Sequence, residues 1–248
     1  MTQDVRNKMP RLIRAIRTHR GLIALIFFVI LVHSGHHFFF QKTLAALGLP
    51  YYPMLVNVDE RRITAAHANA VFRSGAISGD INLFENRGAP YMVPPVPDLI
   101  MGYLSRAFGS LKAGFIAGDI IFPALSFFLL YALGLELSRK KTFAALFASA
   151  AFFIPRASLY FPLLTSYYQA YILGHTLRLP SRLYFDRFED PLLTAPFFFL
   201  ALYLLLRSLT REERWTPWLA GISAGLLWYV YFYYAVYLFV ALGVIALT

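Results

Sequence analysis

The sequence predicts an all-α protein, a polytopic transmembrane bundle of about five or six spans with an external subdomain of amphipathic helices. Three observations predict it. Of the 248 residues, 58% are hydrophobic and only 15% charged, against roughly 25% charged in soluble domains. The apolar residues come in runs of about 20, the helix length that crosses roughly 30 Å of hydrocarbon. Lipid offers no water to bond the backbone, so such runs must satisfy their own N–H and C=O groups as helices. Finally, basic residues cluster in the segments that flank the runs. Six lie in residues 1–20, three at Arg139, Lys140 and Lys141, and three at Arg207, Arg211 and Arg214. Lys and Arg in such flanks mark the cytoplasmic side. The net charge of +10 therefore reads as topology rather than nucleic-acid binding. Cysteine is absent, which excludes disulfides, thiolate metal sites and cysteine nucleophiles.

Residues 1–20 form a basic cytoplasmic N-terminus. Arg11, Arg14 and Arg17 alternate with Leu12, Ile13 and Ile16, the pattern of a short helix on an anionic membrane surface. A basic tail that only orients the first span fits the same residues. Residues 21–40 are the first transmembrane helix. Val32-His33-Ser34-Gly35-His36-His37 is a poor small-residue cleavage site, so the segment reads as an uncleaved span rather than a signal peptide.

Residues 41–112 read as the first external loop, too polar to span and broken by Pro50, Pro53, Pro90, Pro94, Pro95 and Pro97. Ile63, His67, Ala70 and Val71 have helical spacing. Leu99–Phe108 is a second amphipathic stretch along the interface. As a short span it would invert the topology downstream.

Residues 113–248 form the rest of the bundle. Gly114–Leu135 is a span, Thr142–Ile154 returns outward, and residues 156–190 are a second external loop. Leu192–Leu206 spans back, and Pro217–Leu247 suffices for two short spans or a re-entrant pair. The sequence stops at Thr248 inside apolar residues, so the chain reads as the N-terminal portion of a longer protein.

Asp59 and Glu60 are adjacent carboxylates in the first loop. They read either as a solvated pair, or acids complementing a helix N-terminus, or as catalytic acids at the membrane surface. Asp186, Glu189 and Asp190 precede Pro191 and the next span. Acids there make good helix N-terminal residues. As a carboxylate group they also suit Mg²⁺ or Mn²⁺. Asp119 lies inside a predicted span, where ionisable residues are costly. It either reaches the interface, or pairs with Lys112, or serves function. His33, His36 and His37 read as interfacial packing, with His33 and His37 one turn apart as a possible metal pair. Trp228, Tyr229, Tyr231, Phe232, Tyr233, Tyr234 and Tyr237 form an aromatic band of the kind found at membrane interfaces.

A cytoplasmic N-terminus, one span, then an external loop with an acidic motif resembles the GT-C superfamily of membrane glycosyltransferases. The segment Val58-Asp59-Glu60 … His67-Ala68-Asn69 … Gly75 … Gly79-Asp80 … Pro90 … Pro94-Pro95 is similar to the first loop of its mannosyltransferase-like and aminoarabinose-transferase-like members. Phe188-Glu189-Asp190-Pro191-Leu192-Leu193 is similar to a later entry into a span, and oligosaccharyltransferase-like members add metal-binding acids there. The resemblance implies transfer of a sugar from a polyprenyl-phosphate donor to a lipid, glycan or protein acceptor on the outer face of a prokaryotic plasma membrane. Asp59 would be the catalytic acid residue, with Glu60 its close competitor, and Arg61, Arg62, Arg73, Arg182 and Arg187 would bind the leaving phosphate. Asp186, Glu189 and Asp190 would hold the metal. Residues 41–58 separate the first span from Asp59, a longer gap than the family's usual one. A transporter or channel subunit, or a non-catalytic assembly protein, are the alternatives that the same composition allows.

Overall fold

The computed structural model describes residues 19–53, 60–77, 94–154 and 193–247. Among the described residues there are eight helices and no strand: α1 (Arg20–Ala46), α2 (Glu60–Ser74), α3 (Val96–Ala107), α4 (Leu111–Ser138), α5 (Lys141–Phe153), α6 (Ala195–Thr210), α7 (Thr216–Val230) and α8 (Phe232–Leu247). Among the described residues, only α1 and α4 are both long and apolar enough to cross a membrane. At 1.5 Å per residue each is about 40 Å long. Shorter apolar helices are α5, α6 and the Phe232–Val244 part of α8.

Helix α1 buries a single stripe of Val29, His33 and His37. These positions are four apart and so share one face. Phe27, Phe28, Leu31 and Phe38 on the other faces are exposed. An uncovered apolar surface of this extent calls for an apolar partner, and lipid supplies one to a spanning helix.

Helices α1 and α4 pack antiparallel. Leu22, Leu25 and Ile26 share a cluster with Phe127, Leu130, Tyr131 and Leu135 near one end, whereas Ser34 and His37 meet Asp119 near the other. Helix α5 folds back on α4 after a turn at Arg139, whose φ of 59° is left-handed. Glycine usually fills such a helix-ending position. Gly134 admits α5, since a Cβ there would lie 3.0 Å from the Ala144 Cα and from Phe147.

Helices α2 and α3 lie in register. His67 meets Asp98, Val71 faces Gly102, and Gly75 faces Arg106. Both chains advance four residues between these pairs, so the two helices run parallel. A Cβ on Gly102 would fall 2.3 Å from the Val71 Cβ, and one on Gly114 only 2.6 Å from the Ser105 Cα. Glycine at both positions is thus what lets α2, α3 and α4 close on one another. The sequence expectation for Leu99–Phe108 matches α3. Its 12 residues span about 18 Å, shorter than the roughly 30 Å of hydrocarbon that a spanning helix crosses.

In the last third, α6 and α7 are joined by residues 211–215, and the expected pair within Pro217–Leu247 is two helices broken at Tyr231. Ala201, Leu227, Ala235 and Leu238 form their common core, and Phe198 stacks on Tyr234 at 4.8 Å between centroids. The aromatic band thus falls on the α7–α8 break. Tyr229, Tyr233 and Tyr237 point outward, and only part of the band packs inward.

Candidate functional site

Helix α4 contains one proline, Pro123. Proline has no N–H, so the carbonyl four residues back, that of Asp119, lacks its helical donor. The hydroxyl of Ser34 on α1 supplies one, at 2.9 Å. One turn further along α1, His37 meets the Asp119 side chain, Nε2 to Oδ2 at 2.6 Å, and both side chains are at least 95% buried. A carboxylate only accepts, so Nε2 carries the proton. In the neutral imidazole, Nδ1 then accepts from the Tyr51 hydroxyl, 2.5 Å away. Lys112, at the start of α4, sits 5.4 Å from the centre of the Tyr51 ring, a cation–π distance. Asp119 Oδ1 is buried and has no hydrogen bond among the described residues.

A carboxylate, a histidine oriented by it and a hydroxyl on the histidine's other nitrogen make a chain along which a proton can move. Here it lies between two helices of spanning length, with a lysine at its mouth. A second buried pair is close in sequence to the loop acids. His67 Nδ1 on α2 lies 3.0 Å from Asp98 Oδ2 in the first turn of α3. Asp98 there also meets the positive end of the α3 dipole.

The opposite end of α4 carries a different cluster. Glu136 is buried, and Arg211 grips it in a two-pronged contact, Nε to Oε1 at 3.0 Å and Nη2 to Oε2 at 2.9 Å. Thr210 donates to Oε1 at 3.0 Å, and Arg139 approaches to 2.8 Å. Arg207 binds Glu213 in the same two-pronged way, at 3.0 and 2.6 Å, and Thr216 donates to Glu213 as well. Arg207, followed by Thr216, holds the Glu213 carboxyl below its ordinary value. Two turns that sequence charge put on one side, Arg139–Lys141 and Arg207–Trp215, are thus joined by ion pairs.

The site residues read from sequence stand as follows. Asp59, Arg182, Arg187, Asp186, Glu189 and Asp190 lie outside the described residues. Glu60, Arg61 and Arg62 are in the first turn of α2, with their side chains outside the described part. Arg73 is exposed in the last turn of α2 and donates to Asn69 at 3.2 Å. Asp119 differs from its expected partner: it bonds His37 rather than Lys112. His33 and His37 face the bundle, with His33 edge-on to Phe152 at 5.4 Å. Among the described residues no three His, Asp or Glu side chains group to hold a metal ion.

Tyr51, Asp98 and Glu136 were not legible as site residues. Glu136 had a signal: it falls one residue past the apolar run that ends at Leu135, and α4 continues through it to Ser138. Tyr51 and Asp98 look like ordinary loop and cap residues until their partners are known. Compared with protein-family models, with curated proteins and with solved structures, the chain matches none.

Proposed function

We propose that the chain is a multi-pass membrane glycosyltransferase of the GT-C kind, with its N-terminus in the cytoplasm of a prokaryotic cell. It would move a sugar from a polyprenyl-phosphate donor to an acceptor on the extracytoplasmic face. The observation that carries this reading is the buried Asp119–His37–Tyr51 network with Lys112 beside it. It gives one end of an apolar bundle buried polar groups that can pass a proton, which supports a reaction site there. That end is where the chain leaves α1 for the segment bearing Asp59, the acid that the resemblance makes catalytic.

The chemistry suits such a place. As the acceptor hydroxyl attacks the anomeric carbon, its O–H proton passes to the Asp59 carboxylate. The C–O bond to phosphate breaks with its electrons on the phosphate, whose charge needs cations nearby. Lys112 joins Arg61, Arg62, Arg73, Arg182 and Arg187 as candidates. Asp186, Glu189 and Asp190 supply only carboxylate oxygens, the donors that Mg²⁺ or Mn²⁺ take, and such an ion would add positive charge there.

The test is transfer of a lipid-linked sugar by membranes carrying the full chain. Asp59→Asn lowers turnover by about 10²-fold or more. Unchanged turnover in both Asp59→Asn and Glu60→Gln would sink the assignment. Turnover indifferent to EDTA removes the metal from the proposal.

One observation favours a second reading. His37 and Asp119 are ionisable partners inside helices long enough to span, as in proton-coupled transporters. Proton uptake by proteoliposomes that Asp119→Asn abolishes, with no sugar transfer, would establish it.

A further inference from the structure

Helices α1 and α4 also meet at the end away from Asp119. An open groove of about 450 Å³ lies between these helices, lined by His19, Leu22, Ile23, Ile26, Phe128, Tyr131 and Leu135 among others, and its wall is almost wholly apolar. We propose that this groove binds one acyl chain of an anionic phospholipid, with the headgroup phosphate held by Arg20 and Lys140. The inference rests on the membrane reading above but not on the transferase chemistry.

The antiparallel packing of α1 and α4 supplies both halves of the site. It brings the start of α1 beside the end of α4. His19 and Leu135 line the groove, Arg20 follows His19, and the Arg139 N–H bonds the Leu135 carbonyl just before Lys140. Arg20, Arg139, Lys140 and Lys141 are all exposed at this end. The acid nearest in sequence on α4, Glu136, is already engaged by Arg211 and Arg139, so the rim keeps a positive balance. A cationic rim over an apolar slot fits an anionic headgroup on a hydrocarbon chain, because basic residues at a membrane surface each attract anionic lipid and the slot takes the tail. A zwitterionic lipid fills the slot equally well, but the cation of its headgroup offsets much of the rim's attraction for its phosphate.

The experiment is native mass spectrometry of the full chain in detergent, titrated separately with phosphatidylglycerol and phosphatidylcholine. The expected result is preferential retention of one phosphatidylglycerol. Arg20→Gln and Lys140→Gln each weaken it by about fivefold and weaken phosphatidylcholine less. Ile23→Trp, at a half-exposed position that tolerates bulk, fills the slot and weakens both lipids. Equal retention of the two lipids, or a phosphatidylglycerol preference that survives both charge removals, overturns the proposal. So does lipid retention undiminished by Ile23→Trp. No lipid adduct at all also overturns it, and means that the groove is filled by the chain itself or is empty. Partition of the chain into the aqueous fraction would instead refute the membrane reading.

Discussion

The hydroxyl of Ser34 donates to the backbone carbonyl of Asp119 at 2.9 Å, and that carbonyl is the one Pro123 deprives of its helical donor. The defect in α4 and its repair from α1 are thus one feature. It places the Asp119 side chain against His37, one α1 turn beyond Ser34, at the point where the two long helices are bonded together.

Ser34→Ala leaves that carbonyl without a donor from either helix. The expected cost is about 1–2 kcal/mol, read from unfolding in detergent. In a Pro123→Ala background the helix supplies its own N–H, and the same Ser34 substitution should cost less than half as much. Equal costs in the two backgrounds would show that the hydroxyl does not compensate for the proline.

His37 and Asp119 form a buried pair, so removing one partner strands the other. Asp119→Ala is expected to destabilise by about 3 kcal/mol or more. The paired change His37→Leu with Asp119→Leu should cost less than Asp119→Ala, since neither ionisable partner is left buried without the other. Unfolding of the two variants tests this, and a paired change that costs as much as Asp119→Ala or more would contradict it.

Gly114 is fixed by packing, not by conformation. A Cβ there would lie 2.6 Å from the Ser105 Cα and 2.8 Å from its N, and backbone atoms cannot swing aside. Gly114→Ala should cost about 1–3 kcal/mol as an overpacking change. Gly221, with nothing within 4 Å of its Cβ direction, should take alanine with no loss or a small gain. Thermal unfolding of both proteins decides the matter.

The Glu213 carboxyl is held below its ordinary value of 4.5 by Arg207 and then by Thr216. A depressed carboxylate stabilises the fold above the unfolded value. Its contribution is therefore complete above about pH 4.5 and is lost as pH falls through the lower folded value. The expected result is a lower melting temperature for Glu213→Gln than for the native chain near pH 7, with the gap closing as pH falls below about 4.5. Parallel curves throughout would rule out this ion pair as a contributor.

Much of the fold was legible because it is local. Gly114–Leu135, Thr142–Ile154 and Leu192–Leu206 each fall largely within a helix of the structure, since apolar composition and helix breakers act along the chain. The spacing of Ile63, His67 and Val71 gave α2, and Pro97 and Pro217 stand in the first turns of α3 and α7, where a missing N–H costs least. The buried His37–Asp119–Tyr51 network was less legible. Asp119 stood out because an acid in an apolar run is costly, but its nearest cation in sequence, Lys112, proved the wrong partner.

By itself the sequence determined the all-helical class, the apolar character of the helices, where most of them start and stop, and which turns carry positive charge. These follow from short-range rules of periodicity, capping and hydropathy. Only the tertiary structure decided that Ser34 and His37 close on Asp119, that α2 and α3 run parallel onto α4, and that Arg211 reaches Glu136. Those contacts join residues far apart in the chain. They depend on which helix faces come together, which small residues let backbones approach, and which carbonyl a proline leaves in want of a donor.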